Sequence, residues 1–168
     1  MTAFGNAAAA ILCLCATAAV LCVGGAVAAA GERLTGLPLP RYAAIRATEA
    51  NLRVGPSMNY PVLWRYEERG LPVRIVKEHF DWRKVEDPKG ETGWMSAHLL
   101  ADWPRAIVTT ANRLLRRSPE TGARGVAVLE PGVVVTVLER REGWCRVAKE
   151  GHKGWLKSDE VWGACAGP

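Results

Sequence analysis

The feature that most constrains the fold of this 168-residue chain is an internal repeat of about 60 residues. Three sets of landmark residues recur in the same order. Leu52-Arg53 followed by Pro56 recurs as Leu115-Arg116 followed by Pro119, at an offset of 63 residues. Gly70 followed by Trp82 recurs as Gly132 followed by Trp144 at an offset of 62, and Gly93-Trp94 recurs as Gly154-Trp155 at an offset of 61. The drift of one residue at each step falls where loops are expected. Two repeats are too few for a solenoid, and each is near the lower size limit for independent folding. We therefore expect the two copies to pack together.

Between these landmarks the hydrophobic pattern is short and strand-like. Segments such as VLWRY, LPVRIVKEHF and VVVTVLER are rich in Val, Ile and aromatic residues and are bounded by Gly, Pro, Asn or Asp. No stretch of ten or more residues sustains a helical stripe. The pattern predicts an all-β chain with one unit at residues 41–101 (copy one) and another at 105–163 (copy two), joined near ADWPR.

Copy one resembles the bacterial SH3-like (SH3b) domain. From Asn51 to Leu100 it follows the pattern of an N-x-R-x-G-P-S-x-x-Y opening, a V-x-V strand, W-x-x-V and a closing G-W. Copy two, from Asn112 to Trp162, keeps Leu, Arg and Pro but lacks the Gly before the Pro and the Tyr after it. The resemblance implies a small barrel of five to six strands in each copy, and hence two tandem SH3-like barrels. It also implies a non-catalytic binding or targeting module of exported or envelope proteins, some of whose relatives bind cell-wall peptides.

The first thirty residues differ from the rest because they carry no charged side chain; the first is Glu32. An apolar run ending in small residues predicts a signal peptide over residues 1–30, cleaved near Ala28 or Ala30. The alternative is an uncleaved membrane anchor, since Ala7 to Ala30 is long enough to span a bilayer. Either interpretation predicts an exported, periplasmic or extracellular protein. Residues 31–40, with two prolines, are predicted to form an extended linker.

Charge and composition argue against several functions. The 22 basic and 17 acidic side chains give a net charge of +5, which is too small and too interspersed to indicate nucleic acid binding. His79, His98 and His152 lack metal-ligand spacing, so we expect no metal or other cofactor. The two copies leave no room for a catalytic domain. We therefore expect a protein that is not an enzyme.

Two cysteines, Cys145 and Cys165, lie outside the first thirty residues. In an oxidising compartment they are a candidate disulfide closing a loop of about 20 residues. The alternative is two unpaired thiols. By strand alternation Cys145 shares the side of Val147, which we expect to be the core side.

Tyr60, Trp82 and Trp94 are the candidate ligand-binding residues. Trp82 has opposite parity to Val85, and Trp94 alternates with Met95, so both tryptophans should lie off the core face, at a barrel rim. Aromatic side chains at such a rim can bind an extended peptide, a cell-wall polymer or an envelope protein. The alternative is a structural assembly module, in which these aromatic rims cover the barrel ends or are buried between copies or protomers.

Two further expectations concern the stretch from Asn51 to Tyr66. At an offset of 62, Trp64 and Tyr66 align with Val126 and Val128, which predicts that both aromatic residues belong to the core. Gly55 is expected to permit backbone angles closed to other residues, and Pro56 to stiffen the turn. The resulting loop should hold Tyr60 beside the rim tryptophans.

Overall fold

The structure is a computed structural model that describes residues 34–165, and within them it contains strands, turns and two short 3-10 segments. The strands of copy one are β1 Arg41–Ile45, β2 Ala50–Arg53, β3 Val62–Tyr66, β4 Pro72–His79, β5 Trp82–Glu86, β6 Thr92–Ser96 and β7 Leu100–Ala101. Those of copy two are β8 Arg105–Val108, β9 Arg113–Arg116, β10 Gly125–Leu129, β11 Val134–Arg141, β12 Trp144–Lys149, β13 His152–Lys157 and β14 Val161–Gly163. The 3-10 segments are Ala97–Leu99 and Ser158–Glu160.

Each copy is one antiparallel sheet of seven strands, and the two sheets have equivalent strand orders. These are β3-β2-β6-β5-β4-β1-β7 and β10-β9-β13-β12-β11-β8-β14. The all-β prediction is confirmed, as is the division into two tandem units. The count of seven strands, against the expected five to six, includes the two-residue strand β7, which pairs with β1.

Each sheet surrounds its own hydrophobic core, built from alternate residues of its strands. The buried core residues of copy one are Ala43, Ile45, Ala50, Leu52, Val73, Ile75, Val85 and Met95. Those of copy two are Ala106, Val108, Leu115, Leu129, Val135, Val137, Cys145, Val147, Leu156, Val161 and Cys165. The expectation that Cys145 lies on the core side with Val147 is therefore confirmed.

The recurring glycines before Trp94 and Trp155 leave room for a core leucine. A Cβ on Gly93 would lie 2.6 Å from Cγ of Leu52, and one on Gly154 would lie 2.6 Å from Cγ of Leu115. Neither distance is tolerated between carbon atoms that are not bonded. The same packing requirement therefore explains why both copies keep a glycine at this position.

The prediction that Trp64 belongs to the core is wrong, because 55% of this residue is exposed. The alignment behind it was displaced by one residue. Leu52 pairs with Trp64 in copy one, and its counterpart Leu115 pairs with Ala127 rather than with Val126. A slip of one residue exchanges the two faces of a strand, so the displaced alignment wrongly placed Val126 and Val128 on the core side. It does not explain the exposure of Trp64, whose true counterpart Ala127 packs against the core.

The corrected register explains the remaining residues of these two strands. Val126 and Val128 lie on the exposed face of β10, whereas Ala127 packs against the core. Tyr66, which pairs with Ala50, does pack against the core of copy one. Trp64 lies on the same, core-facing side of the sheet as Tyr66. Because β3 is an edge strand, however, the side chain of Trp64 extends beyond the core.

The two copies belong to one compact unit and contact each other. The rings of Tyr42 and Trp162 meet edge to face, with 5.2 Å between their centroids. A Cβ on Gly163 of copy two would lie 3.2 Å from Cβ of Pro72 in copy one. The expectation that the copies pack together is confirmed by these contacts.

Residues 34–40, the described part of the predicted linker, form no strand but are tied to copy one. Thr35 donates hydrogen bonds from its backbone N–H and its Oγ1 to the carboxylate of Glu78, both at 2.7 Å. Arg41 and Arg83 form ion pairs with the same carboxylate, at 2.8 and 3.3 Å. Burial alone would raise the pKa of Glu78, but the hydrogen bonds from Thr35 and Arg41 and the charge of Arg83 hold it below its ordinary value.

The predicted signal peptide or anchor, residues 1–30, lies outside the described residues and stays a prediction. Among residues 34–165 there is no helix with the length and apolar character needed to cross a bilayer.

Candidate functional site

The two candidate tryptophans of copy one lie on the outer face of its sheet. Trp82 begins β5 and pairs with Ser96, whereas Trp94 of β6 pairs with Lys84. Trp82 and Trp94 are therefore diagonal neighbours on adjacent strands, a position in which the backbones of two residues are about 7–8 Å apart. Both residues are partly exposed, so a ligand lying across β5 and β6 can reach them.

Tyr60 lies in the loop 54–61, which begins beside Trp94 because Arg53 and Trp94 are paired residues. The Tyr60 ring lies over Gly55, and a Cβ on that glycine would be 2.6 Å from Cδ2 of the ring. Gly55 does not have a positive φ, so the expectation that it supplies special backbone angles is wrong. Its role is to leave space for the ring.

Copy two has a loop of the same length and backbone hydrogen bonding, at 117–124. The matching bonds are Val54 N–H to Pro61 O with Arg117 N–H to Arg124 O, Ser57 N–H to Gly55 O with Glu120 N–H to Ser118 O, and Tyr60 N–H to Ser57 O with Ala123 N–H to Glu120 O. Ser118 and Ala123 thus occupy the places of Gly55 and Tyr60. The loop therefore forms without its aromatic residue, and Tyr60 is not required for the fold.

The arginine at the start of each loop has a different partner in the two copies. In copy one, Nη1 of Arg53 donates to the carbonyl oxygen of Tyr60 at 2.8 Å. In copy two, Arg116 forms two hydrogen bonds with the carboxylate of Glu160, at 3.1 and 3.3 Å. The glutamate has no counterpart in copy one, because Leu99 ends the equivalent 3-10 segment. Arg53 therefore supports the Tyr60 loop, and Arg116 supports the end of copy two.

Two tryptophans of copy two, Trp144 and Trp155, are covered by cationic side chains. Arg116 and Lys157 lie over the ring of Trp144, at 5.4 and 5.9 Å from its centroid, and Arg141 lies 5.2 Å from the centroid of Trp155. Within residues 34–165, no lysine or arginine lies over the ring of Trp82 in this way. The two copies thus present chemically different outer faces.

The potential metal-ligating side chains of the described residues are dispersed. No three His, Cys, Asp or Glu side chains among residues 34–165 are close enough to hold a metal ion. His79 packs edge to face on Phe80 and lies 6.1 Å from the ring centroid of Trp94. It therefore borders the tryptophan face of copy one.

Cys145 and Cys165 form a disulfide in the structure, with 5.9 Å between their Cα atoms. Both are buried in the core of copy two. The bond joins β12 to the end of the described chain, next to the contact with copy one. The disulfide is therefore part of the core of copy two and not of its tryptophan face.

The model of the bacterial SH3 domain family matches the chain twice, at residues 46–102 and 109–163. The chain belongs to the bacterial SH3 domain family. The two matches begin just after β1 and β8 and cover the other six strands of each sheet, so the resemblance seen in copy one extends to the looser copy two.

One relative is a candidate N-acetylmuramoyl-L-alanine amidase of Bacillus subtilis, YrvJ, which is 24% identical over 130 residues. The match covers 71% of this chain but 25% of the relative. Two similar solved structures are NlpC2 from Trichomonas vaginalis and an NlpC/P60 family protein from Bacillus cereus. The first is 14% identical with a TM-score of 0.35, covering 73% of this chain and 48% of NlpC2. The second is 18% identical with a TM-score of 0.33, covering 72% of this chain and 55% of that protein.

Sequence reasoning identified the outer tryptophans but missed two other features. One is the exposed edge strand β3, where Val62, Leu63 and Trp64 are each about half exposed. The other is Trp103 of the segment that joins the copies. The guanidinium carbons of Arg69 and Arg105 lie 5.0 and 5.8 Å from the centroid of its ring. Trp103 is flanked by Asp102, Pro104 and Arg105, and this short stretch has no periodic pattern that could have predicted the second feature.

Proposed function

We propose that this chain is a non-catalytic, exported binding or targeting module, and that copy one binds a peptide, cell-wall or envelope-protein ligand through Tyr60, Trp82 and Trp94. The observation that carries the proposal is the loop of Gly55 and Tyr60. It holds a half-exposed aromatic ring over Gly55, in a loop that begins next to the residue paired with Trp94, although copy two shows that the same loop forms without that ring.

The chemistry of this face suits an extended ligand. Aromatic rings bury a large area at a low cost in side-chain entropy, and partly exposed neighbouring rings can stack on a flat or extended chain. Family membership and the similarity to a candidate amidase that is named for a muramoyl-alanine bond support peptidoglycan as the ligand to test first.

The test is co-sedimentation of the chain with purified peptidoglycan. We expect Trp82→Ala to lower the bound fraction at least about fivefold, the usual effect of losing an interfacial aromatic anchor. Trp64→Ala is the matched control, since it removes an exposed tryptophan from the edge strand of the same barrel. Equal retention of wild type and Trp82→Ala would refute the assignment of this face.

A second candidate function is assembly between protomers. It is favoured by β3, an edge strand that pairs with β2 alone among the strands of residues 34–165 and exposes Val62, Leu63 and Trp64. An unpaired apolar edge strand is a common site of strand addition. Light scattering distinguishes the two functions: Trp64→Ala should convert a dimer to a monomer if β3 is the contact, while Trp82→Ala should not.

A further inference from the structure

We propose that the outer sheet face of copy two is a second binding site, which takes the carboxylate groups of an extended acidic peptide. We call this surface the basic face. It consists of two rings and five cations: Trp144, Trp155, Arg116, Arg141, Arg146, Lys153 and Lys157. The proposal goes beyond the function assigned to copy one and does not depend on it.

Rings and cations alternate across the basic face because of strand register. Trp144 of β12 pairs with Lys157 of β13, and the next outward residue of β12, Arg146, pairs with Trp155. Lys153 follows on the same side of β13, opposite Ala148. The cationic groups therefore extend along two neighbouring strands. Lys157 has Trp144 beside it on the neighbouring strand, and Arg146 has Trp155.

The rings of the basic face hold cations rather than offering bare surfaces for stacking. The guanidinium of Arg116 and the ammonium of Lys157 lie over the ring of Trp144. The guanidinium of Arg141 lies over the ring of Trp155, a residue that is only 7% exposed. Cation–π contacts of this kind orient long side chains that would otherwise be mobile. The face thus presents N–H donors, which suit an oxyanion.

Only part of this positive charge is neutralised within the chain. Arg116 is paired with Glu160, and Arg141 with Glu139. Within residues 34–165, no carboxylate lies within ion-pair distance of Arg146 or Lys153, and both side chains are exposed. These two residues are therefore available to an external anion.

The acidic residues near the basic face favour spaced anions over a dense polyanion. A recess of about 500 Å³ is lined by Pro119, Arg141, Glu142 and Trp144. Glu142 at this recess, and Glu139 opposite Arg146, would repel a polymer that carries a charge on every unit. A peptide whose carboxylates are separated by neutral residues can meet the cations and avoid both glutamates.

The experiment measures binding of two fluorescent peptides, (Glu-Ala-Gly)4 and its neutral analogue (Gln-Ala-Gly)4, to the full chain by anisotropy at low salt. We expect the acidic peptide to bind and the neutral one not to bind. The double variant Arg146→Gln with Lys153→Gln should weaken binding at least tenfold. The matched control, Arg46→Gln with Lys89→Gln, removes the same two charge types from exposed positions of copy one and should change the affinity less than twofold.

The location is read from the indole N–H signals in NMR spectra. The acidic peptide should shift the signals of Trp144 and Trp155 and leave those of Trp82 and Trp94 in place. Equal weakening by both double variants would mean unspecific charge attraction and would overturn the proposal, as would binding of neither peptide. Tighter binding of inorganic polyphosphate than of the acidic peptide would assign the face to a phosphate polymer instead. Loss of peptidoglycan binding in Trp82→Ala has no bearing on these outcomes.

Discussion

The ring of Tyr60 lies directly over Gly55, so close that a Cβ on the glycine would be 2.6 Å from the ring. The two residues form a pair, since copy two replaces both, with Ser118 and Ala123, while the loop keeps its length and its hydrogen bonds. A side chain at the first position therefore goes with loss of the ring at the second. Gly55 is best understood as a positioning residue for Tyr60.

The first prediction follows from this pairing. Gly55→Ala should displace the exposed Tyr60 ring with little effect on stability, within about 1 kcal/mol, because the ring can move outward. Its retention on peptidoglycan should fall to that of Tyr60→Ala. The combined variant should bind no worse than either single one, because both changes remove the same contact. Additive losses of binding would show that Gly55 acts separately from Tyr60.

The second prediction concerns the glycine that faces Leu52. Gly93→Ala should destabilise the chain by about 2 kcal/mol, the usual cost of overpacking a core, since its Cβ would also lie 2.9 Å from the carbonyl oxygen of Arg53. Urea unfolding measures the change. Gly122→Ala is the control, because no atom lies within 4 Å of its added Cβ, and it should stay within about 0.5 kcal/mol of wild type. Equal stability of the two variants would contradict the packing argument.

The third prediction concerns Glu78 and the segment it holds. Glu78→Gln should lower the stability at pH 7 by about 3 kcal/mol, because it leaves the charges of Arg41 and Arg83 without their buried partner. Hydrogen exchange should also increase at Thr35, whose N–H donates to this carboxylate. The exposed Glu67→Gln, which removes a surface ion pair with Arg65, should have an effect near zero.

The lowered pKa of Glu78 gives this prediction a pH dependence. A carboxylate whose pKa is lower in the folded than in the unfolded state stabilises the fold above its unfolded pKa, and this stabilisation is lost as the pH falls through the folded pKa. The difference in Tm between wild type and Glu78→Gln should therefore be constant near neutral pH and shrink in acid. A difference that grows in acid would contradict the assignment.

The fourth prediction concerns the disulfide between Cys145 and Cys165. Reduction should lower the free energy of unfolding by about 3 kcal/mol, as expected for a closed loop of this length. The measurement is urea unfolding with and without reductant. Mass spectrometry after alkylation under non-reducing, denaturing conditions is the control. Modification of both thiols would show that they are unpaired.

Strand alternation and the repeat predicted which residues are buried in the two cores, because the side chains of a strand alternate between the core face and the outer face of its sheet. Val85, Met95 and Cys145 are all buried as parity requires. The same reasoning misplaced Val126 and Val128, because the loops of the two copies can be aligned with an error of one residue, and such an error exchanges the two faces of a strand. Edge position, which leaves Trp64 exposed, depends on strand order and is not visible in a local pattern.

The features of the candidate site that escaped prediction are contacts between distant residues. The spacing of Gly55 and Tyr60 suggested a loop, but only the structure shows that the glycine makes room for a ring. The bonds between Thr35 and Glu78 join residues 43 positions apart, and nothing in either stretch indicates the other. The cations over Trp144 likewise come from two different strands.

The contact of Tyr42 with Trp162, and that of Pro72 with Gly163, has a consequence for how the chain would recognise a polymer. Two sites on a flexible tether adapt to many spacings, whereas two sites in touching domains have one separation. Simultaneous engagement then multiplies affinity only for a polymer whose epitopes recur at that distance. With its two sites held at a fixed distance by the junction, the tandem would select its polymer by repeat length as well as by chemistry.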